Sequence, residues 1–186
     1  MIAGGGNGGT TGDNGNALGA VLNGPNRAVV DKYGNVYIAD RGNQRIRKVD
    51  PGSNIITTIV GTGTSGYNGD GLIGTVTTLN SPYGIDYDLQ GNVYIADTNN
   101  FRIRKWFTKT SLVSTIIGTG VNAYTGDGAN ATSAAIGLCY SIAVDISNNV
   151  YISDSSYHRV RFINGTTGLV VLLAGTGVKG FSSGEK

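Results

Sequence analysis

The sequence has very little glutamate, cysteine, proline or charge. Its 186 residues include 3 prolines, 1 cysteine and 1 histidine, and glutamate occurs once, at Glu185. Charged residues make up 14% of the chain, with a formal net charge of +2. This balance excludes a charge-driven disordered chain and argues against a strongly basic nucleic-acid module. The shortage of charged helix formers also disfavours a helical bundle.

Long apolar runs are missing as well. The longest, residues 169–174, is strand-sized and far below the roughly 18 residues of a membrane span. Residues 1–6 lack the basic flank and apolar stretch of a signal peptide. The lone Cys139 cannot form an internal disulfide, so the compartment stays unknown, and its apolar neighbourhood predicts a small buried thiol. The abundant residues are 31 glycines and 10 tyrosines, with many Thr, Val, Ile and Asn, a composition of strands and turns.

A period of 57 residues organises the chain. Asn-Val-Tyr-Ile-Ala-Asp at 35–40 returns at 92–97 and, with Ser for Ala, at 149–154. Between 35–49 and 92–106, 11 of 15 positions are identical, which indicates internal duplication. The units are about 2–58, 59–115 and 116–172, with a partial repeat at 173–186.

Each unit is predicted to contain four short strands. In the second unit they cover about 83–87, 92–96, 102–107 and 111–117, separated by turns rich in Asp, Gly and Asn. A loop of about twenty residues, 118–138, then leads to the next unit. Four antiparallel strands on a fixed period with a long crossover describe a propeller blade. We therefore expect an all-β chain of three four-stranded antiparallel blades.

The motifs of the unit resemble the NHL repeat. The resemblance rests on Pro-Tyr-Gly-Ile at 82–85, Gly-Asn-Val-Tyr-Ile-Ala-Asp at 91–97 and Asn-Phe-Arg-Ile-Arg-Lys at 100–105. It covers the whole chain as three copies, although copy one departs at 25–28 and copy three lacks the proline and glycine at 138–141. The resemblance implies a β-propeller, commonly six-bladed, that acts mostly as a binding platform. The unit is longer than a usual NHL repeat, and the excess lies in the glycine-rich loop.

Three blades predict one half of a six-bladed propeller. We expect the single unit 1–186 to close with a second copy as a homodimer of two times three blades, since exposed blade flanks are normally buried. Residues 2–15 and 173–186 occupy equivalent places in the repeat. In a closed dimer both cannot fill one place. We expect the C-terminal copy, which continues its own fourth strand, to displace the N-terminal one.

Recurrent charged residues flank the hairpin between the second and third strands. Opposite charges there suggest turn pairs that build the blade rather than catalyse a reaction. The third strands alternate arginine with Ile or Val, so we expect one buried and one solvated face. The solvated basic face could bind RNA, but the low net charge disfavours this function. The predicted pairs are Asp40 with Arg45, Asp97 with Arg102 and Asp154 with Arg159.

The glycine-rich loops allow three interpretations. Closely spaced glycines can hold phosphate, but that geometry needs a following helix, and the next element is a strand. Asp70 and Asp127, each within Gly-Asp-Gly, could offer oxygen ligands to calcium, although one carboxylate per loop is few. We favour positive-φ glycine turns in which the aspartate caps its own loop, and leave the calcium alternative open.

Four further residues, at two kinds of position, are candidates for chemistry. His158 lies in a predicted turn, and a lone histidine meets the requirements of neither a zinc site nor a catalytic triad. Asn26, Tyr83 and Tyr140 begin the first, channel-side strand of each unit and are candidates for a ligand-facing rim, with packing between blades as the alternative.

The sequence thus predicts a non-catalytic scaffold or interaction module, a piece of a longer repeat protein, without catalytic residue, metal or cofactor. The expected partner is a second copy, with a protein or glycan as further ligands; a membrane is not expected and nucleic acid is disfavoured. The alternatives are a propeller-type lyase, as in some NHL-like propellers that use metal and histidines, and a glycan- or peptide-binding propeller.

Overall fold

The computed structural model describes residues 2–5 and 11–180. Over these ranges it contains no α-helix, and no helix that is long and apolar enough to cross a membrane. The strands are β1 (Gly15–Asn16), β2 (Pro25–Val30), β3 (Val36–Asp40), β4 (Arg45–Val49), β5 (Ile55–Val60), β6 (Leu72–Ile73), β7 (Pro82–Tyr87), β8 (Val93–Asp97), β9 (Arg102–Trp106), β10 (Leu112–Ile117), β11 (Cys139–Val144), β12 (Val150–Asp154), β13 (Arg159–Ile163) and β14 (Val170–Ala174). Single 3₁₀ turns cover Ala17–Gly19, Arg41–Asn43, Gly74–Val76, Thr98–Asn100 and Ala131–Ser133.

The strands form three antiparallel sheets, one for each sequence repeat, which confirms three blades. Blade 1 has the order β1-β5-β4-β3-β2, blade 2 the order β6-β10-β9-β8-β7 and blade 3 the order β11-β12-β13-β14. The predicted count of four strands is met in blade 3. Blades 1 and 2 each have five, because the glycine-rich loop before the blade adds a short outer strand.

The outer strand covers the free edge of the fourth strand. An edge strand exposes unpaired N–H and C=O groups, and a covering segment removes that exposure. β1 pairs with β5 through Gly15 opposite Ile56, and β6 pairs with β10 in the same way. In blade 3 a single bridge, Asn130 opposite Leu169, stands in this place.

The first strands of the blades, β2, β7 and β11, lie side by side at the inner edge of the three sheets. Gly84 in β7 allows this close approach. A Cβ at that position would lie 2.8 Å from the backbone oxygen of Tyr140 in the neighbouring strand. A side chain there would push blades 2 and 3 apart.

The core lies between the blades. We call the side of a blade that turns to the next blade along the chain its forward face, and the opposite side its rear face. Two clusters of buried apolar residues fill the contacts between blades 1 and 2 and between blades 2 and 3. The forward face of blade 1 contributes Tyr37, Ala39, Ile46 and Val60; that of blade 2 contributes Tyr94, Ala96, Ile103 and Ile117.

A third cluster covers the rear face of blade 1. Its strand residues Val36, Ile38, Val49 and Ile56 are buried under Ala17 and Ala20 of the preceding segment. Ala3, near the start of the chain, packs against the same cluster. The segment before blade 1 therefore lies on this blade as the later loops lie on blades 2 and 3.

Candidate interaction surface

Each second strand ends in an aspartate whose carboxylate is buried, at Asp40, Asp97 and Asp154. Asp97 accepts hydrogen bonds from the Asn80 amide at 2.7 Å and from the Asn100 side chain at 2.8 Å. Its cationic neighbour is Arg104, with Nη1 at 3.5 Å from Oδ2. Burial raises the pKa of Asp97 to about 6.

The ion-pair partners of Asp40 and Asp97 differ from the predicted ones. Asp40 pairs with Arg47 at 3.3 Å, two residues beyond Arg45. The Arg45 guanidinium instead donates to the backbone oxygen of Thr62 at 2.8 Å. Asp40 pairs with Arg47 because the Arg47 guanidinium is fully buried and its charge needs a partner away from water, whereas Arg45 remains partly exposed.

Blades 2 and 3 repeat this displacement with one variation. Arg102 and Arg159 donate to the backbone oxygens of Thr119 and Thr176. In blade 3 the carboxylate of Asp154 accepts from the amide of Gly137 at 2.9 Å, and burial raises its pKa. In each blade the aspartate accepts a hydrogen bond from the turn that follows it, and the predicted arginine donates to the backbone oxygen of a loop threonine instead. The structural role of the aspartates in the hairpin stays a prediction.

The loop aspartates also form ion pairs with the buried arginines. Asp13, Asp70 and Asp127 lie 2.9, 3.0 and 2.7 Å from the guanidinium groups of Arg47, Arg104 and Arg161. The expectation of a solvated arginine face on the third strand is therefore wrong for these three residues, because the ion pairs allow their burial and remove them from any basic surface.

These contacts also change the interpretation of the Gly-Asp-Gly loops. Oδ1 of Asp70 accepts from the Thr115 amide and hydroxyl at 2.8 and 2.9 Å, besides the Arg104 guanidinium. The aspartate thus ties the loop to strands β9 and β10 rather than capping the loop alone. No group of three or more His, Cys, Asp or Glu side chains that could hold a metal occurs within residues 2–5 and 11–180.

A tyrosine from each of these loops stacks on the arginine layer. The Tyr67 ring lies 3.7 Å from the Arg102 guanidinium carbon and 4.9 Å from that of Arg104. Tyr124 lies 4.0 and 5.0 Å from those of Arg159 and Arg161, and its hydroxyl donates to Asp127. Sequence reasoning missed this stack, although the spacing from Gly61 to Tyr67 and from Gly118 to Tyr124 is the same.

Two of the three proposed rim residues meet at the inner edge. The rings of Tyr83 and Tyr140 form an edge-to-face pair with centroids 4.7 Å apart. Arg41 stacks on Tyr83 at 5.0 Å and donates to its hydroxyl at 2.8 Å. Tyr140 keeps 41% of its surface exposed. Asn26 is exposed in β2.

The forward face of blade 3 is the largest departure from the repeat. We define it by Tyr151, Ser153, Val160, Phe162, Leu173 and Ala174. The equivalent positions in blades 1 and 2 include fully buried isoleucines at 46 and 103, whereas Val160 is partly exposed. Leu173 is 54% exposed, and Phe162 and Tyr151 pack edge to face on each other.

The single cysteine and the single histidine lie where the sequence predicts them, in the core and in a turn. The Cys139 thiol is buried, and this burial raises its pKa, so it is protonated at neutral pH. His158 is exposed in the turn before β13, at the left-handed position that Gln44 and Phe101 occupy in the other blades. Neither contacts a second group that would activate it among the described residues.

Three blades of antiparallel strands, packed face to face around a shared inner edge, define the β-propeller class. The family model of the NHL repeat matches residues 22–49 and 79–106. The human NHL repeat-containing protein 2 is 36% identical over 101 residues, which cover 53% of this chain and 14% of that protein. The chain therefore contains NHL repeats at these two places, which supports the resemblance to the NHL-repeat family.

Solved structures share the same fold. A protein of unknown function from Bacteroides thetaiotaomicron superposes with a TM-score of 0.61 at 23% identity, over 75% of this chain and 35% of that one. Virginiamycin B lyase from Staphylococcus aureus gives a TM-score of 0.52 at 14% identity, over 78% of this chain and 39% of that one. The chain spans between 6% and 14% of the curated relatives that it matches.

Proposed function

We propose that the chain is a non-catalytic interaction module that completes its propeller with a second copy. The observation that carries the proposal is the forward face of blade 3. Four of its six residues, Tyr151, Ser153, Val160 and Ala174, occupy repeat positions that are buried between blades elsewhere in the same chain, yet here they are partly or largely exposed. Apolar surface of this kind marks a contact site.

The chain itself supplies the geometry of the missing contact. Blade 1 meets blade 2, and blade 2 meets blade 3, through the same forward and rear faces. The rear face that begins this series belongs to blade 1 and consists of Val36, Ile38, Val49 and Ile56. Blade 1 of a second copy therefore fits the forward face of blade 3, and twofold symmetry repeats the contact.

The magnitude favours association. Fully burying a Val or Leu side chain contributes roughly 1.5–3 kcal/mol. Val160, Phe162 and Leu173 lie on each of the two equivalent faces of such a dimer. Only part of this gain remains after the loss of translational and rotational freedom, so we expect a dimer in the micromolar range or tighter.

The test is the mass in solution. Light scattering of the wild-type chain at micromolar concentration should give about twice 19.2 kDa. Val160→Asp should give the monomer mass, because an unpaired carboxylate would be buried in the contact. The matched control is Ile146→Asp in the same blade, at a side chain that is 82% exposed in a turn outside the forward face.

A monomer at all concentrations for the wild type would overturn the proposal. Equal masses for Val160→Asp and Ile146→Asp variants would also contradict it, since the contact would then lie elsewhere. Circular dichroism of both variants shows whether the blades remain folded.

A glycan or peptide at the inner rim is the second candidate, supported by the exposed ring of Tyr140 beside Tyr83. Arg41, stacked on Tyr83, has no ion pair among the described residues and offers a cation for a carboxylate or hydroxyl. Glycan and peptide arrays test this site. Binding that Tyr140→Ala leaves unchanged would refute it.

A further inference from the structure

The arginine–tyrosine stack is complete in blades 2 and 3 and lacks its ring in blade 1. Arg102 and Arg159 lie under Tyr67 and Tyr124. The equivalent arginine of blade 1 is Arg45, and the residue at the repeat position of the tyrosines is Thr10, which has no ring. Nη1 of Arg45 is buried and has no hydrogen-bond partner among the described residues.

A surface cavity marks the same place in blade 1. Asp13, Arg45, Thr58 and Gly61 are among its lining residues, and its volume is about 350 Å³. The corresponding cavity of blade 2 is lined by the equivalent residues and also by Tyr67. Blade 1 therefore has the arginine and aspartate of this cavity but lacks the aromatic side chain that stacks on the arginine in blade 2.

The sequence contains one further ring at this repeat position, after blade 3. Tyr67 follows Gly61 by six residues, and Phe181 follows Gly175 by the same six. The loop after each blade carries the ring that stacks on the arginine of the next blade. By this rule the arginine that matches Phe181 belongs to the blade that follows blade 3.

The segment that holds this position on blade 1 at present is residues 2–5. The amides of Gly4 and Gly5 donate to the backbone oxygens of Ala17 and Ala20 at 3.1 and 3.0 Å. On blade 2 the amides of residues 61 and 62 donate to the oxygens of residues 74 and 77 at 3.0 and 3.1 Å. The backbone site is thus the same, and residues 175 and 176 are the equivalents of 4 and 5 from the other end of the chain.

We infer that residues 175 and 176 of a second copy replace residues 4 and 5 on blade 1, and that the segment up to residue 181 places the Phe181 ring on Arg45. The inference rests on the proposed dimer and adds its determinant of specificity, a cation–π contact that the chain's own N-terminal segment cannot make. The exchange needs no new backbone site, because the two segments use the same hydrogen-bond acceptors.

The test uses a labelled peptide of residues 173–186 and the full-length chain, diluted until it is monomeric. Fluorescence anisotropy should show saturable binding. A peptide with Phe181→Ala should bind about 3- to 30-fold more weakly, the range that one cation–π contact supplies. A peptide with Phe181→Tyr should bind as the native one does, because tyrosine occupies this position in blades 2 and 3.

Two protein variants test the other side of the contact. Arg45→Ala should reduce the preference for the native peptide over the Phe181→Ala peptide to about one. Thr10→Tyr adds an aromatic ring to the N-terminal segment, which should then compete better for Arg45 and weaken binding of the native peptide. A substitution that merely loosened the N-terminal segment would strengthen peptide binding instead.

The outcomes separate this inference from the proposed dimer. Equal binding of the native and Phe181→Ala peptides, or unchanged binding to the Thr10→Tyr chain, overturns the exchange. If the Phe181→Ala chain then still dimerises while Val160→Asp does not, the proposed function stands without it. If the wild-type chain never dimerises but binds the peptide with the expected preference, the contact exists and the dimer proposal fails.

Discussion

Truncating Asp97 to alanine removes the side chain on which the hairpin of blade 2 depends. Its carboxylate is fully buried and accepts from the Asn80 amide, the Asn100 side chain and Arg104. The variant leaves these donors without their acceptor. Arg104 keeps a second carboxylate, Asp70, at 3.0 Å.

The expected cost follows from these contacts. Removing one partner of a buried ion pair costs about 3–5 kcal/mol, and the remaining contact with Asp70 places Asp97→Ala near the lower end. A loss of about 3 kcal/mol lowers the Tm of a chain of this length by roughly 6–12 °C. Asp40→Ala should cost a similar amount, because Asp40 accepts from Asn23, Asn43 and Arg47 in the same arrangement.

Asp154→Ala should cost less, about 1–3 kcal/mol, since Asp154 accepts chiefly from backbone amides and Arg161 is held by Asp127. The assay is thermal unfolding followed by circular dichroism, at one fixed protein concentration because self-association shifts Tm. Asp50→Ala, at an exposed turn carboxylate, is the matched control and should change Tm least. Near-wild-type melting of all three variants would refute the structural role of these aspartates, and loss of an activity in only one of them would indicate a catalytic site instead.

Three further predictions concern single residues. The pKa of Asp97 is raised from 3.8 to about 6 in the folded chain, so the stability that the protonated carboxyl contributes is present below pH 4 and is lost as the pH rises to 6. Relative to Asp97→Asn, the free energy of unfolding of the wild type should fall by about 3 kcal/mol over this range in urea titrations. A constant difference between the two proteins would contradict the assignment. Gly118→Ala should lower stability clearly more than Gly69→Ala, because its Cβ would lie 2.2 Å from the oxygen of Phe101 whereas Gly69 has open space, and equal urea midpoints would argue against this close approach. Cys139 should resist a thiol reagent in the native chain and react after unfolding, and fast native labelling would mean that the contact between blades 2 and 3 opens.

The local parts of the fold could be predicted because their information is local. The alternation of apolar and polar residues placed the third strand, and the Asp, Gly and Asn clusters placed the turns and so the second strand within one or two residues. The burial of Cys139 and the exposed position of His158 followed from their neighbours in sequence. The outer strands β1 and β6 were missed, since two residues carry no periodic pattern and their pairing depends on the path of a long loop.

The partners of the charged residues could not be predicted from spacing alone. Asp40 and Arg45 are direct neighbours in the register of β3 and β4, so proximity favoured that pair. The choice of Arg47 depends on a third residue, Asp13, which lies 34 positions away in the chain. A fully buried guanidinium needs acceptors on several sides, and only the folded loop brings the Asp13 carboxylate close to Arg47.

The sequence by itself determined the number of blades, the four main strands of each and the resemblance to the NHL repeat, because an unbroken 57-residue period repeats the same local pattern three times. The tertiary structure decided which arginines are buried, how the loop tyrosines stack and which blade face is exposed among the described residues. These features depend on groups distant in sequence whose burial is settled only when whole blades pack, since desolvation of a charge or an apolar face is a property of the assembled neighbourhood.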